Sequence, residues 1–192
     1  MPFGRRRASA SPAESDRFAA EALEYLDAIY GTAVRLARSA DAAQDLVQDT
    51  YLKAFRARDR FSPGTNLKAW LYTILHNTRR NRRRDGARSR VEADSEAVDL
   101  AADRSGDMVS AAPDNPEARL VNAALSDDLR VALGELPEAF REAIWLRDVE
   151  ELTYQEIATA LDVPMGTVMS RLSRGRKLLH AALLTTRGAT NR

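Results

Sequence analysis

The sequence predicts an all-α protein of two small helical domains joined by a flexible acidic linker. Three observations carry this. Apolar residues recur at three- and four-residue steps through most of the chain, and no run shows the alternation of a strand. The stretch 89–116 is rich in Ala, Ser and Asp, lacks aromatics and contains Pro113 and Pro116, which is linker composition. Charge is strongly segregated along the 192 residues although the formal net charge is only +1.

Residues 1–15 are rich in Arg, Ser, Ala and Pro and are expected to form a disordered tail. The first domain, 16–88, then opens with a helix near 16–38, carrying Phe18, Ala22, Tyr25, Leu26, Ile29, Tyr30, Ala33 and Ala37 on one face. Asp41 with Gln44 resembles a capping box. It would open a second helix with the stripe Ala43, Leu46, Val47, Thr50, Tyr51, Ala54 and Phe55. Ser62-Pro63-Gly64-Thr65 is a loop by its turn chemistry. Asn66 can cap a third helix, whose apolar side is Leu67, Trp70, Leu71, Ile74, Leu75 and Thr78.

The second domain, 117–186, starts with the stripe Leu120, Val121, Ala124, Leu125, Leu129 and Leu133. Pro137 stands at a helix start and is followed by Phe140, Ala143, Ile144 and Leu146. Thr153-Tyr154-Gln155-Glu156 forms a capping box for a short helix to Leu161. After the turn Asp162-Val163-Pro164-Met165-Gly166, a last helix begins at Thr167 and runs to about Leu184, leaving 187–192 as a tail.

Composition excludes several functions. With no cysteine there is no disulfide, thiol catalysis or cysteine zinc site within the chain. No apolar run approaches the ~20 residues of a membrane helix, so no membrane insertion is expected. Arg5-Arg6-Arg7 is not followed by the apolar segment of an export signal, which points to a cytoplasmic protein. His76 and His180 are too few and too far apart for a metal site, and His180 reads as a polar helix residue. No phosphate-binding Gly-Lys-Ser/Thr loop or Ser/His/Asp set is present, so no catalytic residue, cofactor or metal is expected.

Charge points instead to polyanions. Between Arg79 and Arg90 seven arginines face one acid, Asp85, and from Val163 onward there is no acid at all. The stretch Glu92–Glu117 between them is acidic. Two basic blocks separated by an acidic one suggest two polyanion contacts joined by a spacer.

The segment Thr153–Leu179 reads as a helix-turn-helix: a capped short helix, a tight turn and a second amphipathic helix. Ile157, Ala158, Leu161, Val163, Val168 and Leu172 sit where the two helices would pack. Thr167, Met169, Ser170, Arg171, Ser173, Arg174 and Lys177 point outward, a set suited to base edges and phosphates in a major groove. Free backbone N–H groups at the Thr167 end would favour a phosphate.

At these residues the chain resembles a family. LPEAFREAIWLRDVEELTYQEIATALDVPMGTVMSRLSRGRKLL is similar to the promoter-binding fourth region of extracytoplasmic-function (ECF) sigma factors of bacterial RNA polymerase. DAAQDLVQDTYLKAFRARDRF followed by GTNLKAWLYTILHNTRRNRRR resembles their second region. The resemblance spans residues 20–88 and 120–184, in the family's order. Asp162 departs from a common turn glycine, but Asp tolerates a left-handed backbone better than most residues. Met169 replaces a basic residue found in many members, which bears on promoter preference.

The resemblance implies a sigma region 2 helical bundle and a sigma region 4 helix-turn-helix in an alternative, non-enzymatic sigma factor. It implies docking on core RNA polymerase, through the clamp helices of the largest subunit and the flap. Asp45, Gln48, Asp49 and Leu52, off the core stripe of the second helix, are the residues that fit the clamp contact. It implies reading of melted minus-10 promoter DNA, with a base captured by the loop before the third helix. Phe61, Gly64, Thr65, Asn66, Lys68, Tyr72, His76, Asn77, Arg79, Arg80 and Arg83 fit that task, as cations follow phosphates and rings stack on bases. Trp70 lies on the apolar stripe and reads as core, as does Trp145. The minus-35 duplex falls to the outward face of the last helix. An anti-sigma factor is the implied regulator, in a stress response, and a membrane-bound one would tether the chain indirectly. The competing readings are a helix-turn-helix activator or response regulator, which would need a sensory domain, and an enzyme acting on nucleic acid.

Overall fold

The computed structural model describes residues 12–37, 39–94 and 127–190. Among them every regular element is helical and there is no strand. The first unit contains α1 (Pro12–Leu23), α2 (Leu26–Leu36), α3 (Ala40–Arg56), a single 3-10 turn (Arg58–Arg60) and α4 (Leu67–Asp94). The second contains α5 (Asp127–Gly134), α6 (Glu138–Ile144), a π turn (Trp145–Val149), α7 (Tyr154–Leu161) and α8 (Met165–Thr190).

The helix expected over 16–38 is two helices, broken at Glu24 and Tyr25. No Gly or Pro marks the break; tertiary packing makes it. α1 packs on α4, while α2 packs on both α3 and α4. The carbonyl of Ala22, in the last turn of α1, accepts from the Tyr25 amide at 3.3 Å and from the Tyr51 hydroxyl at 2.9 Å, so a core side chain helps to satisfy the helix end. The cap of α3 is Ser39, whose Oγ accepts from the Ala42 amide at 3.2 Å. Asp41 therefore lies inside the first turn, where its charge suits the helix dipole, and the expected Asp41–Gln44 box is corrected.

The stripes expected on α3 and α4 form the core: Ala43, Leu46, Val47, Thr50, Tyr51, Ala54, Leu67, Leu71 and Leu75 are buried. Phe18, Phe55, Phe61 and Trp70 meet edge-on or tilted, with Phe61 and Trp70 centroids 5.5 Å apart. α4 begins as expected, with Asn66 Oδ1 accepting from the Ala69 amide at 3.2 Å. It continues past residue 88 to Asp94, and α8 continues past 186 to Thr190. The stripe residues Leu120, Val121, Ala124 and Leu125, the first eleven residues of the tail and the linker from 95 on lie outside the described residues.

In the second unit α8 is the spine on which α5, α6 and α7 pack. Val168 and Leu172 are buried against Ile157 and Ala158 of α7. Gly175 lets α6 approach closely: a Cβ there would lie 2.9 Å from Ile144 Cδ1 and 3.1 Å from Phe140 Cβ. Gly175→Val is therefore expected to destabilise the second unit by about 1–3 kcal/mol through overpacking. The check is a lowered denaturant midpoint, against an unchanged one for Gly166→Ala, where a Cβ meets nothing within 4 Å.

Candidate nucleic-acid interface

The helix-turn-helix forms as its sequence requires. Thr153 and Glu156 make a reciprocal capping box: the Thr153 amide donates to Glu156 Oε2 at 2.7 Å, and the Glu156 amide donates to Thr153 Oγ1 at 3.3 Å. Asp162 closes α7 in the left-handed region, φ 56, and the Val163 amide donates back to the Ala158 carbonyl at 3.0 Å. The final helix starts at Met165, so Gly166 belongs to its first turn and not to the preceding turn. The amides of Thr167 and Val168 both donate to the Pro164 carbonyl, at 2.9 and 3.2 Å. The expectation of free N–H groups at Thr167 is corrected accordingly. On α8, Met169, Ser170, Ser173, Arg174 and Lys177 are exposed, while Thr167 and Arg171 are half-buried. They share an acid-free helix face.

The α3 residues form a second patch. Asp45, Gln48 and Leu52 are exposed and Asp49 is half-buried, four residues at i, i+3, i+4 and i+7 on one face. A residue the sequence reading missed, Arg82 of α4, holds this patch from behind. Its Nε donates to Asp49 Oδ2 at 3.1 Å and its Nη2 to the Asp45 carbonyl at 2.9 Å.

The residues expected to grip the minus-10 strand divide three ways. Gly64 (φ 87), Thr65 and Asn66 are exposed in the loop, with Thr65 Oγ1 donating to the Ser62 carbonyl at 2.7 Å. Phe61 is packed into the aromatic cluster. Tyr72 and His76 are buried, and their expected outward placement is corrected. The Tyr72 hydroxyl donates to the Ala28 carbonyl at 3.2 Å, and burial raises its pKa, with Glu150's charge adding to the effect. Periodicity missed both because α4 is covered on two sides: by α2 and α3, and by the second unit through α7.

That second cover engages the remaining residues. Asn66 Nδ2 donates to Glu156 Oε1 at 2.8 Å. Arg79 forks between Glu138 and Glu142. Arg83 donates to both oxygens of Glu138, at 3.2 and 3.3 Å, and Arg80 lies 3.4 Å from Asp162 while donating to Asn77. Lys68 Nζ sits 2.9 Å from Glu150 Oε2 and donates to the Glu150 carbonyl at 3.1 Å.

Glu150 is the centre of a buried polar node, 5% exposed. Its Oε1 accepts from Trp145 Nε1 at 3.0 Å and from Thr32 Oγ1 at 3.4 Å, and Thr32 Oγ1 in turn accepts from Trp145 Nε1 at 3.1 Å. The Arg35 guanidinium stacks 3.4 Å from the centre of the Trp145 ring. Burial pushes Arg35 down to about 10, against the pull of Glu150. Trp145 is thus core, as expected, but the core of the seam between the units. The π turn and a left-handed Glu151 (φ 59) set Glu150 in place, a backbone signal that no residue type announces.

Comparison with known proteins agrees with this architecture. Residues 22–89 match the Sigma-70 region 2 family and residues 126–179 match Sigma-70, region 4. The chain belongs to the ECF sigma factors. Sigma factors are DNA-recognition subunits of RNA polymerase and not enzymes, and the region 2 match does not favour an activator reading of the first half. The ECF RNA polymerase sigma factor SigE of Mycolicibacterium smegmatis is 38% identical over 156 residues, covering 81% of this chain and 57% of that protein. The RNA polymerase sigma-H factor of Pseudomonas aeruginosa is 34% identical over 161 residues, covering 84% of this chain and 83% of its own. In structure, this sigma factor resembles RpoE of Bartonella quintana in complex with the anti-sigma factor NepR, with TM-score 0.63 and 34% identity, covering 88% of this chain and 97% of that one. Among the described residues no helix is long and apolar enough to cross a membrane.

His76 makes the stability of this sigma factor pH-dependent. Its Nε2 is buried without a hydrogen-bond partner. Burial, reinforced by Arg79 and Arg80 and opposed by Glu138, pushes it down to about 3 from an ordinary 6.5. The unfolded chain binds a proton as pH falls below about 6.5 while the folded chain does not, so the titration of His76 adds no cost above 6.5 and destabilises the fold progressively below it. Between pH 7.5 and 5.5 the loss is expected to reach about 1.4 kcal/mol. Denaturant titration at the two pH values should show it in the wild type and not in His76→Phe.

Proposed function

We propose that this protein is an alternative sigma factor that carries core RNA polymerase to promoters, in a stress response and under the control of an anti-sigma factor. The acid-free face of α8 beside a well-capped helix-turn-helix is the observation that carries the reading. Met169, Ser170, Ser173, Arg174 and Lys177 would enter the minus-35 major groove, with Thr167 and Arg171 at its edge. Arg is the residue best suited to guanine edges and phosphates, and Ser adds short hydrogen bonds. Gly64, Thr65 and Asn66 would capture a minus-10 base, with Phe61 supporting the loop from the aromatic cluster. Lys68, Asn77, Arg79, Arg80 and Arg83 would then follow the separated strand along α4.

The α3 patch of Asp45, Gln48, Asp49 and Leu52 would dock on the clamp helices of the largest polymerase subunit, and the second unit on the flap. Its mixture of carboxylates and an exposed leucine suits a helical partner with basic and apolar groups. The likeness to a sigma factor solved with an anti-sigma factor supports the same kind of regulator here. Such a protein works in the cytoplasm, where polymerase and promoter DNA are. A membrane-bound anti-sigma factor would tether it only indirectly.

Two substitutions test the assignment. Asp49→Arg is expected to abolish co-elution with core polymerase, since like charge or lost packing at a docking site costs several kcal/mol. The fold should hold, because the surface pair with Arg82 is worth at most about 1 kcal/mol; undiminished co-elution would remove the patch from the site. Arg174→Ala should weaken binding to promoter duplex by about 1–3 kcal/mol. A loss confined to one base position marks base reading, whereas a uniform loss with a flatter salt dependence marks a phosphate contact. Unchanged binding sinks the recognition-helix assignment.

A further inference from the structure

Arg82 stands apart from the other arginines of α4. Where Arg79, Arg80 and Arg83 reach toward the second unit, Arg82 turns to α3 and ties itself to two points one turn apart. Its Nε and Nη2 both donate to Asp49 Oδ2, the first at 3.1 Å, and Nη2 also donates to the Asp45 carbonyl at 2.9 Å. None of these bonds uses Asp49 Oδ1. A guanidinium is a rigid planar fork, so bonds at two separate points leave it one orientation. One turn away on each helix, Lys53 Nζ donates at 3.2 Å to Oγ1 of the buried Thr78. The two helices are thus pinned in register along the stretch of α3 that carries the acidic patch.

Stability does not account for this arrangement. The Asp49 and Arg82 side chains are 41% and 39% exposed, and a pair so open to water contributes little to folding. Its effect is to fix one carboxylate. An untethered aspartate on a helix surface samples several staggered rotamers, and a partner that needs one of them has to order it first. A rotamer already set spares that cost at the moment of binding. The bond to the Asp45 carbonyl anchors the guanidinium to the backbone, so a cation arriving at Oδ1 does not have to displace it. We propose that Arg82 is a positioning residue of the polymerase-docking patch, presenting the Asp49 carboxylate with Oδ2 held and Oδ1 left for a basic group of the partner. The proposal rests on the docking assignment of α3. It adds that two helices build the patch, and that an arginine acting only through Asp49 sets how well the patch binds.

The test is a double-mutant cycle on the full chain, with core polymerase as the titrant. Arg82→Ala is expected to weaken core binding about five- to tenfold, the range of coupling between residues in contact. Asp49→Ala should weaken it at least as much. In the Asp49→Ala background, Arg82→Ala should then change affinity by less than about twofold, because the carboxylate it positions is gone. An equal loss in both backgrounds marks a direct contact or a general loosening of α3 on α4, and overturns the proposal. A gain in affinity on Arg82→Ala shows that the arginine competes for Asp49, and overturns it as well. Should Arg82→Ala lose helical content, Arg82→Lys takes its place in the cycle: it keeps the charge but lacks the planar fork, and its loss should likewise vanish without Asp49. The single variants separate the two layers. If Asp49→Ala weakens binding and Arg82→Ala does not, the positioning role alone fails; if Asp49→Ala binds as the wild type does, the docking assignment fails with it.

Discussion

The closed arrangement depends on one buried carboxylate. Glu150 leaves the second unit at the end of a π turn and ends among Thr32 of α2, Lys68 of α4 and its own neighbour Trp145. A charge taken out of water costs several kcal/mol unless its oxygens are satisfied, and here both are: one by the lysine, the other by the indole and the hydroxyl. Removing Lys68 would leave the buried carboxylate without its ion-pair partner, whereas the indole and the hydroxyl share the other oxygen, so the lysine is the donor the node can least spare. Because its partners come from α2, α4 and the π turn together, the node fixes the relative position of two units that could otherwise slide over one another. A purely apolar seam of the same area would be more permissive of register.

The node also explains the strain beside it. Glu151 adopts a left-handed backbone without being glycine, a conformation costing roughly 1–2 kcal/mol. The wide π turn before it ends in the Glu150 amide donating to the Trp145 carbonyl at 3.1 Å, and the chain then reverses so that the Leu152 amide reaches the Leu146 carbonyl at 2.9 Å. Trp145 and Glu150 are brought together by that detour. Strain here accompanies a specific side-chain meeting rather than a loose loop.

Much of this was legible in the sequence. Stripes on α3 and α4, Asn66 as a cap, the Thr153–Glu156 box and the left-handed turn at Asp162 each follow from local chemistry, and local chemistry is what a sequence displays. The features that escaped are those set by distant parts of the chain. Nothing near Tyr25 marks the break between α1 and α2, because its cause is packing on different neighbours. Tyr72 and His76 sit off the apolar stripe and read as outward, yet a whole second unit lies over that side of α4. The acids of α6 and α7 looked like ordinary solvated charges until their partners, 55 to 63 positions away in the cases of Arg83 and Arg79, were placed opposite them. For the candidate site this meant that residue types were identifiable while their accessibility was not.

The contact between Asn66 and Glu156 has a mechanical consequence. Asn66 uses its oxygen to cap α4 and its nitrogen to reach across, while Glu156 uses one oxygen to cap α7 and the other to receive it. Each residue thus completes its own helix with one atom and makes the crossing with another. When the crossing breaks, neither helix loses its first turn, and no fraying has to be reversed before the crossing can form again. Separation at this corner is a clean parting of two finished pieces, like a joint whose pin is drawn without loosening either beam. Such a joint can be cycled repeatedly with its helix ends kept in working order.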